Sequence, residues 1–286
     1  LQIVLSDEHM STELLNTFFK SVKTGSFIKC TGKLINSPAK GQEYEMQLES
    51  FELLGDVTES YPLSKTKMNM DTLRNYIHLR GRTNTFGSIF RIRSSLMKIL
   101  HDFYHSKGFL NLDPNIITVN ECEGGAGVFQ VTESDIANTK YDSATDHFCR
   151  PAYLTVSSQL LLEALACGLG NVYTINKSFR SEHSCTSKHV SEFTHLEIEM
   201  VNNTFEDLMN IGEEMIKYVI EQLLVQREND LYNLNSFISK GIVDKLISLK
   251  SKQFIKIKYN DIVDEINNDI KSNKKLKLSK LSYGDD

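Results

Sequence analysis

The stretch from Tyr173 to Met200, YTINKSFRSEHSCTSKHVSEFTHLEIEM, constrains this chain more than any other, because alternating apolar patterns flank one polar interruption. Val172, Thr174 and Ile175 lead into Phe179 and Arg180, and Val190, Phe193, Leu196 and Ile198 restart the pattern afterwards. This spacing predicts a strand, a loop and a second strand. The connection from Ser181 to Lys188 holds neither Gly nor Pro, so a long loop of the kind that carries ligand contacts is expected rather than a tight turn. Arg180, at a strand end, can fork onto a phosphate. Lys188 and His189 can meet further phosphates, and Phe193 offers a ring face to a base. Glu182, Glu197 and Glu199 share the segment with these cations. Singly, each residue also fits a solvated charged surface. Together they read as a hairpin built around a phosphate.

The order FRSE, six residues, His, then EF and LEIE resembles motif 2 of the class II aminoacyl-tRNA synthetases, in the subgroup that charges aspartate, asparagine and lysine. The resemblance implies ATP with Mg2+ and assigns roles to matching positions. Arg180 would hold the α-phosphate of ATP and the amino-acid carboxylate, Glu182 the adenine amino group, and His189 the outer phosphates. Phe193 would stack on adenine, and the backbone of Val190 would complete the base contact. No residue of the chain is assigned as a metal ligand.

Residues 1–60 read as strand, short helix, strand, strand: LQIVL, TELLNTFFKSV, SFIKCTGKLI and EYEMQLESFELLG. They resemble the later part of the OB-fold, a five-stranded barrel that binds the anticodon in this family, with its first two strands absent. An unrelated small β-domain is the alternative from pattern alone. Residues 61–75, containing YPLSKTKMNMD, read as a linker. Residues 76–286 read as a class II catalytic domain.

Within that domain, Phe86 to Lys107 places Ile89, Ile92, Leu96, Ile99 or Leu100, and Phe103 on one helical stripe, closed by Gly108. FLNLDPNIIT reads as a strand interrupted by Pro114. Helix and Pro-bearing strand resemble motif 1, the homodimer interface of the family. Arg80, Arg82, Arg91 and Arg93 read as surface charge, or as tRNA or dimer contacts. The glycines of ECEGGAG permit close backbone approach to a ligand, and by resemblance Glu123 in this loop takes the α-ammonium of the amino acid. YLTVSSQLLLEAL passes from a strand into a helix whose start is marked by Ser157 and Ser158. By resemblance, Gln159 reaches the same α-amino group. Thr204 with Asp207 predicts a capped helix with Leu208, Ile211, Met215, Val219 and Leu223 on its core face. Further short helices are expected from Glu228 to Ile270, and KSNKKLKLSK reads as a solvated Lys-rich loop. The expected fold class is α+β: a class II antiparallel sheet flanked by helices, preceded by a partial OB-fold β-barrel.

In the aspartate-charging members, a Lys three positions after the motif's Gln pairs with the substrate's side-chain carboxylate; here Leu162 stands at that position. Without the cation, an aspartate side chain would be an unpaired, partly buried anion, costing on the order of several kcal/mol. A carboxamide carries no such charge. Ser158 stands where those members have Pro, and Glu197 where they have Asp. The longer Glu197 can accept a hydrogen bond from a carboxamide nitrogen. These differences point to asparagine as the amino acid, with activation to the adenylate and transfer to tRNA(Asn). The alternatives are aspartate charging, an ammonia-dependent asparagine synthetase working through an aspartyl adenylate, and a non-catalytic synthetase-derived fragment.

Composition adds exclusions. A net charge of −5 over 286 residues gives no general affinity for nucleic acid and leaves tRNA contact to local patches. Cys30, Cys122, Cys149, Cys167 and Cys185 are widely spaced without a Cys-x-x-Cys pair, so neither a zinc site nor a disulfide framework is expected. No apolar run could span a bilayer, and LQIVLSDEHM lacks the regions of a signal peptide, which predicts a cytoplasmic or mature organellar protein. Leu1 falls inside a strand-like run, and nothing after Met200 resembles the Gly-rich motif 3 with its ATP-clamping Arg. The sequence is therefore expected to be truncated at both ends and inactive by itself.

Overall fold

The computed structural model describes residues 1–7, 10–39, 42–63, 68–120, 122, 127–135, 137, 141–182, 189–272 and 279–284. The chain divides into two compact units, Leu1–Gly87 and Ser88–Asp286.

The first unit contains β1 (Gln2–Val4), α1 (Thr12–Ser21), β2 (Phe27–Asn36), β3 (Tyr44–Gly55), α2 (Met70–Arg74) and α3 (Ile77–Arg80). Helix α1 starts where the Ser11 hydroxyl accepts the Leu14 N–H at 3.2 Å, and Phe18 on it meets Phe51 of β3 edge-on at 4.8 Å. The sheet order is β1-β3-β2, with β1 parallel and β2 antiparallel to β3. The β2–β3 register shifts between Thr31 and Gly32, where a Cβ on the glycine would lie 2.0 Å from the Gln47 carbonyl oxygen. Only glycine lets the strands close there. Of the barrel read from the sequence, three strands are seen. Tyr61, in the segment read as a linker, is tied down by Arg82, whose Nη1 lies 3.2 Å from its hydroxyl and 3.1 Å from the Gly25 carbonyl oxygen.

The second unit holds α4 (Asn84–Ser106, beginning in the first unit), β4 (Leu110–Asn111), β5 (Ile117–Thr118), β6 (Gln130–Val131), β7 (Ala152–Leu154), α5 (Gln159–Leu169), β8 (Val172–Phe179) and β9 (Glu192–Glu199). Four helices follow: α6 (Phe205–Gln226), α7 (Glu228–Phe237), α8 (Ile242–Ser251) and α9 (Tyr259–Ser272). The strands form two three-stranded sheets, β4-β8-β9 and β5-β7-β6. They are joined where the Phe179 N–H donates to the Thr155 carbonyl oxygen at 2.9 Å. The fold is α+β, with antiparallel strands flanked by helices.

Strands β8 and β9 pair antiparallel from Val172↔Glu199 to Phe179↔Glu192, and the period of two sorts their side chains onto two faces. Tyr173, Ile175, Leu196 and Ile198 point to one face, where they pack with Phe103, Tyr104 and Phe109 and with Ile211, Met215 and Tyr218 of α6. Tyr104 stacks on Tyr173 at 5.0 Å, and burial pushes its phenol up to about 12. The other face carries Thr174, Asn176, Ser178, Phe193, His195, Glu197 and Glu199.

Local signals explain the helix ends. Gly108 adopts a φ of +79°, and the Phe109 N–H returns to the Tyr104 carbonyl oxygen at 3.0 Å, closing α4. Thr204 and Asp207 form a reciprocal capping box at the start of α6. Three expectations are modified. Pro114, lacking an N–H, divides the expected strand between the two sheets: β4 runs parallel to β8, whereas β5 lies antiparallel to β7. On α6, Ile211 and Met215 pack against the core, but Leu208, in the first turn with exposed Phe205, lies outside the packed cluster. The arginines at 82, 91 and 93 are structural ties: Arg91 grips buried Asp230 of α7, with Nη2 2.6 Å from Oδ1, and Arg93 donates to Thr194 at 2.9 Å. Among the described residues, no helix is long and apolar enough to cross a membrane.

Candidate active site

The second hairpin face is polar because its opposite face has taken the apolar half of the alternation. Thr174 lies opposite Glu197, Asn176 opposite His195, and Ser178 opposite Phe193. Helix α5 covers the Val172 end of this face, where Leu162 and Ala166 pack on Val172 with Leu112 beside them. Leu162 is 0% exposed, so it is a core side chain, and no cation stands at its position.

Glu197 is held by the segment leading into α5. The Ser157 hydroxyl donates to Glu197 Oε1, and the Ser158 N–H lies 3.1 Å from Oε1 and 3.0 Å from Oε2. The Ser157 oxygen also accepts the Gln159 N–H at 3.1 Å. The paired serines therefore act differently from simple helix caps: Ser157 does the capping, while Ser158, at the N-cap position, makes no side-chain cap bond. The N-cap amide of α5, that of Ser158, is spent on a carboxylate, the charge a helix N-terminus favours. Gln159 follows directly, its side-chain amide donating to Glu163 at 2.8 Å and its Oε1 lying 4.0 Å from the Cys122 sulfur.

At the other end of the face, the Arg180 guanidinium carbon lies 5.4 Å from the centre of the Phe193 ring. The Arg180 N–H continues the ladder to the Ser191 carbonyl oxygen at 3.1 Å. Ser181 ties this end to a neighbouring segment, donating its N–H to Gly127 O at 2.7 Å and its hydroxyl to Val128 O at 3.1 Å. Glu182, His189 and Val190 stand exposed at the two ends of the connection between the strands. Glu123 and Lys188 lie outside the described residues. The structure thus joins Arg180 with Phe193, sets Glu197 beside Gln159, and places Leu162 in the core.

Charge is graded along the face. A cation sits at the Phe193 end, and carboxylates gather at the other. Burial pushes the Glu199 carboxyl up, and the charges of Glu163 and Glu197 push it the same way. Among the described residues, no group of three or more His, Cys, Asp or Glu side chains could hold a metal ion. Two site residues escaped the sequence reading. Ser157 was legible only as a helix start, and His195, whose Nδ1 lies 3.1 Å from the Ser178 hydroxyl, was legible only by its parity with Phe193 and Glu197.

Comparison with known proteins agrees with this architecture. The asparagine–tRNA ligase of Phocaeicola vulgatus is 36% identical over 267 residues, covering 91% of this chain and 56% of that protein. The asparagine–tRNA ligase of Vibrio vulnificus is 37% identical over 248 residues, covering 84% and 53%. The chain therefore spans little more than half the length of these relatives. Among solved structures, asparaginyl-tRNA synthetase from Pyrococcus horikoshii, complexed with asparaginyl-adenylate, superposes with a TM-score of 0.79 at 25% identity, over 100% of this chain and 59% of that one. The Entamoeba histolytica asparaginyl-tRNA synthetase shares the fold with a TM-score of 0.74 at 23% identity, over 99% and 60%. A family model described as tRNA synthetases class II (D, K and N) matches residues 69–283. That match takes in α4, the paired serines and both strands of the hairpin, and by it the chain belongs to the class II tRNA synthetases of the D, K and N group.

Proposed function

We propose that the protein containing this chain is an asparagine–tRNA ligase, which activates asparagine with ATP and transfers it to tRNA(Asn). The observation that carries this reading is Glu197, clamped by Ser157 and Ser158 on the same face as the Arg180–Phe193 pair. Phe193 and Glu197 are four residues apart on one strand, a separation of about 13 Å. A base at one end, a phosphate between and a side chain at the other fit that span. Phe193 stacks on adenine, Glu182 and the Val190 backbone contact the base edge, and His189 meets the outer phosphates. Gln159 and Glu123 hold the α-ammonium. Glu197 accepts from the carboxamide, and the aliphatic Leu162 leaves no cation to favour aspartate.

The substrate carboxylate attacks the α-phosphorus, a new P–O bond forms, and pyrophosphate leaves. The nucleophile is already an anion, so catalysis rests on orientation and on Arg180 facing the charge that develops, rather than on a protein base. Mg2+ accompanies the phosphates in this reading; the described residues form no cage for it, and no step depends on it. Residues 1–60 serve as a partial OB-fold anticodon-binding domain, 61–75 as a linker and 76–286 as the catalytic domain. A homodimer forms through the Phe86 to Thr118 region, where Leu110 and Ile117 are 49% and 44% exposed around Pro114. The protein acts where translation occurs, in the cytoplasm or an organelle.

ATP–pyrophosphate exchange by the full-length protein tests the reading. Exchange that depends on asparagine supports it. Exchange that depends on aspartate, or none with either amino acid, overturns it.

A further inference from the structure

We infer that His195 is a positioning residue for the amino-acid side chain: it holds one oxygen of Glu197 and thereby presents the other to a carboxamide. The inference rests on the asparagine reading above and adds a specificity-determining residue to it. Strand parity puts His195 on the site face, opposite Asn176 and two residues from both Phe193 and Glu197. Its Nδ1 lies 3.1 Å from the hydroxyl of Ser178, which is 0% exposed, and 3.5 Å from Glu197 Oε1. The ring meets Phe193 at 5.4 Å and 53°, so it is fixed from the base side as well.

The hydrogen bond of Nδ1 is to Ser178 at 3.1 Å; with the proton on Nδ1, the ring sets a positive edge 3.5 Å from Oε1 in place of a lone pair that would repel the carboxylate. Glu197 is then loaded unevenly. Among the described residues, Oε1 faces the Ser157 hydroxyl, the Ser158 N–H and His195, whereas Oε2 faces the Ser158 N–H alone. A carboxylate has about four lone-pair sites in all, so Oε1 is saturated and Oε2 keeps room for one more donor. The carboxamide of asparagine supplies an N–H; the carboxylate of aspartate supplies none and brings a like charge. By fixing which oxygen is free, His195 turns a flexible Glu side chain into a directional acceptor.

The test compares His195→Asn, His195→Gln and His195→Leu with the natural sequence, in the full-length protein, by ATP–pyrophosphate exchange. Asn keeps a donor at the place of Nδ1, Gln keeps one at the place of Nε2, and Leu keeps neither. His195→Asn should retain the natural asparagine KM. His195→Gln and His195→Leu should raise it about tenfold, through loss of the donor edge beside Oε1, and weaken discrimination against aspartate by the same factor. The KM for ATP should not move. If the Leu variant does not fold, the contrast between Asn and Gln decides alone. Equal asparagine KM values in those two variants, or a rise confined to ATP, overturn the inference while leaving asparagine as the substrate. A natural protein that activates aspartate instead removes the substrate reading and this inference with it.

Discussion

Ser157 donates its hydroxyl to the carboxylate of Glu197, a residue 40 positions further along the chain. The bond ties the segment before α5 to the middle of β9, so the acceptor for a substrate side chain is set by two elements rather than one. Ser157→Ala should raise the asparagine KM about tenfold, the worth of one charge-assisted hydrogen bond, and leave the KM for ATP unchanged. Steady-state exchange kinetics on the full-length protein measure both. A matched rise in the two constants would show that Ser157 serves the fold and not the pocket.

Arg180 and Phe193 touch each other, yet their substitutions should separate. Arg180→Ala removes a cation whose attraction grows as charge develops on the phosphate, so turnover should fall by several orders of magnitude. Phe193→Ala removes a stacking surface worth ~1–3 kcal/mol that is kept from ground to transition state, so the ATP KM should bear most of the loss. Indistinguishable kinetic profiles for the two variants would overturn this division of roles.

Gly127 and Ser181 are in close backbone contact. A Cβ at residue 127 would lie 2.7 Å from Ser181 Oγ and 3.3 Å from its carbonyl carbon and oxygen. Gly127→Ala should therefore destabilise the second unit by ~1–3 kcal/mol through overpacking. Removing the closest of those atoms with Ser181→Ala should restore part of the loss. Thermal melts of both single variants and the double variant give the coupling, and strictly additive losses would argue against the clash.

Asp230 gives an acid-sensitive tie between α4 and α7. Hydrogen bonding to Arg91 holds its carboxyl below the ordinary aspartate value of 3.8, against the opposing effect of burial. The folded-state value is depressed, so the contribution to stability is complete above pH 3.8 and is lost as pH falls through the lower folded value. Asp230→Ala should cost ~1–3 kcal/mol near neutrality, because Arg91 is half exposed and can rehydrate once alone. Melting profiles from pH 7 to pH 3 should show a steeper acid loss in the natural chain than in Asp230→Asn. Parallel profiles would mean that this pair does not govern the acid limb.

Features set by neighbouring residues were legible in the sequence. The hairpin followed from alternation, the end of α4 from Gly108, and the start of α6 from Thr204 and Asp207, because each depends on side chains within one turn or one strand. Features set by distant partners were not. Glu197 could be named as an acceptor, but its clamp by Ser157 and Ser158 arises only when β7 and β9 come together. Leu162 was read as part of the amino-acid pocket, and its complete burial depends on which side of α5 meets Val172. Leu208 obeyed the helical period and still remained exposed, since periodicity gives a face and not the length of what covers it. Pro114 announced a break in pairing without saying that the two halves would join different sheets.

The two-sided hairpin also limits how its gene can vary. Loss of a single codon between Phe193 and Glu197 would shift every later side chain of β9 to the opposite face, sending Glu197 and Glu199 against Tyr104 and Met215 and turning Leu196 and Ile198 outward. An exchange of one amino acid for another alters one position; a change in length inverts the strand. Variation that preserves both core and site in this region must therefore come by substitution, with insertions and deletions confined to the connection before Glu192.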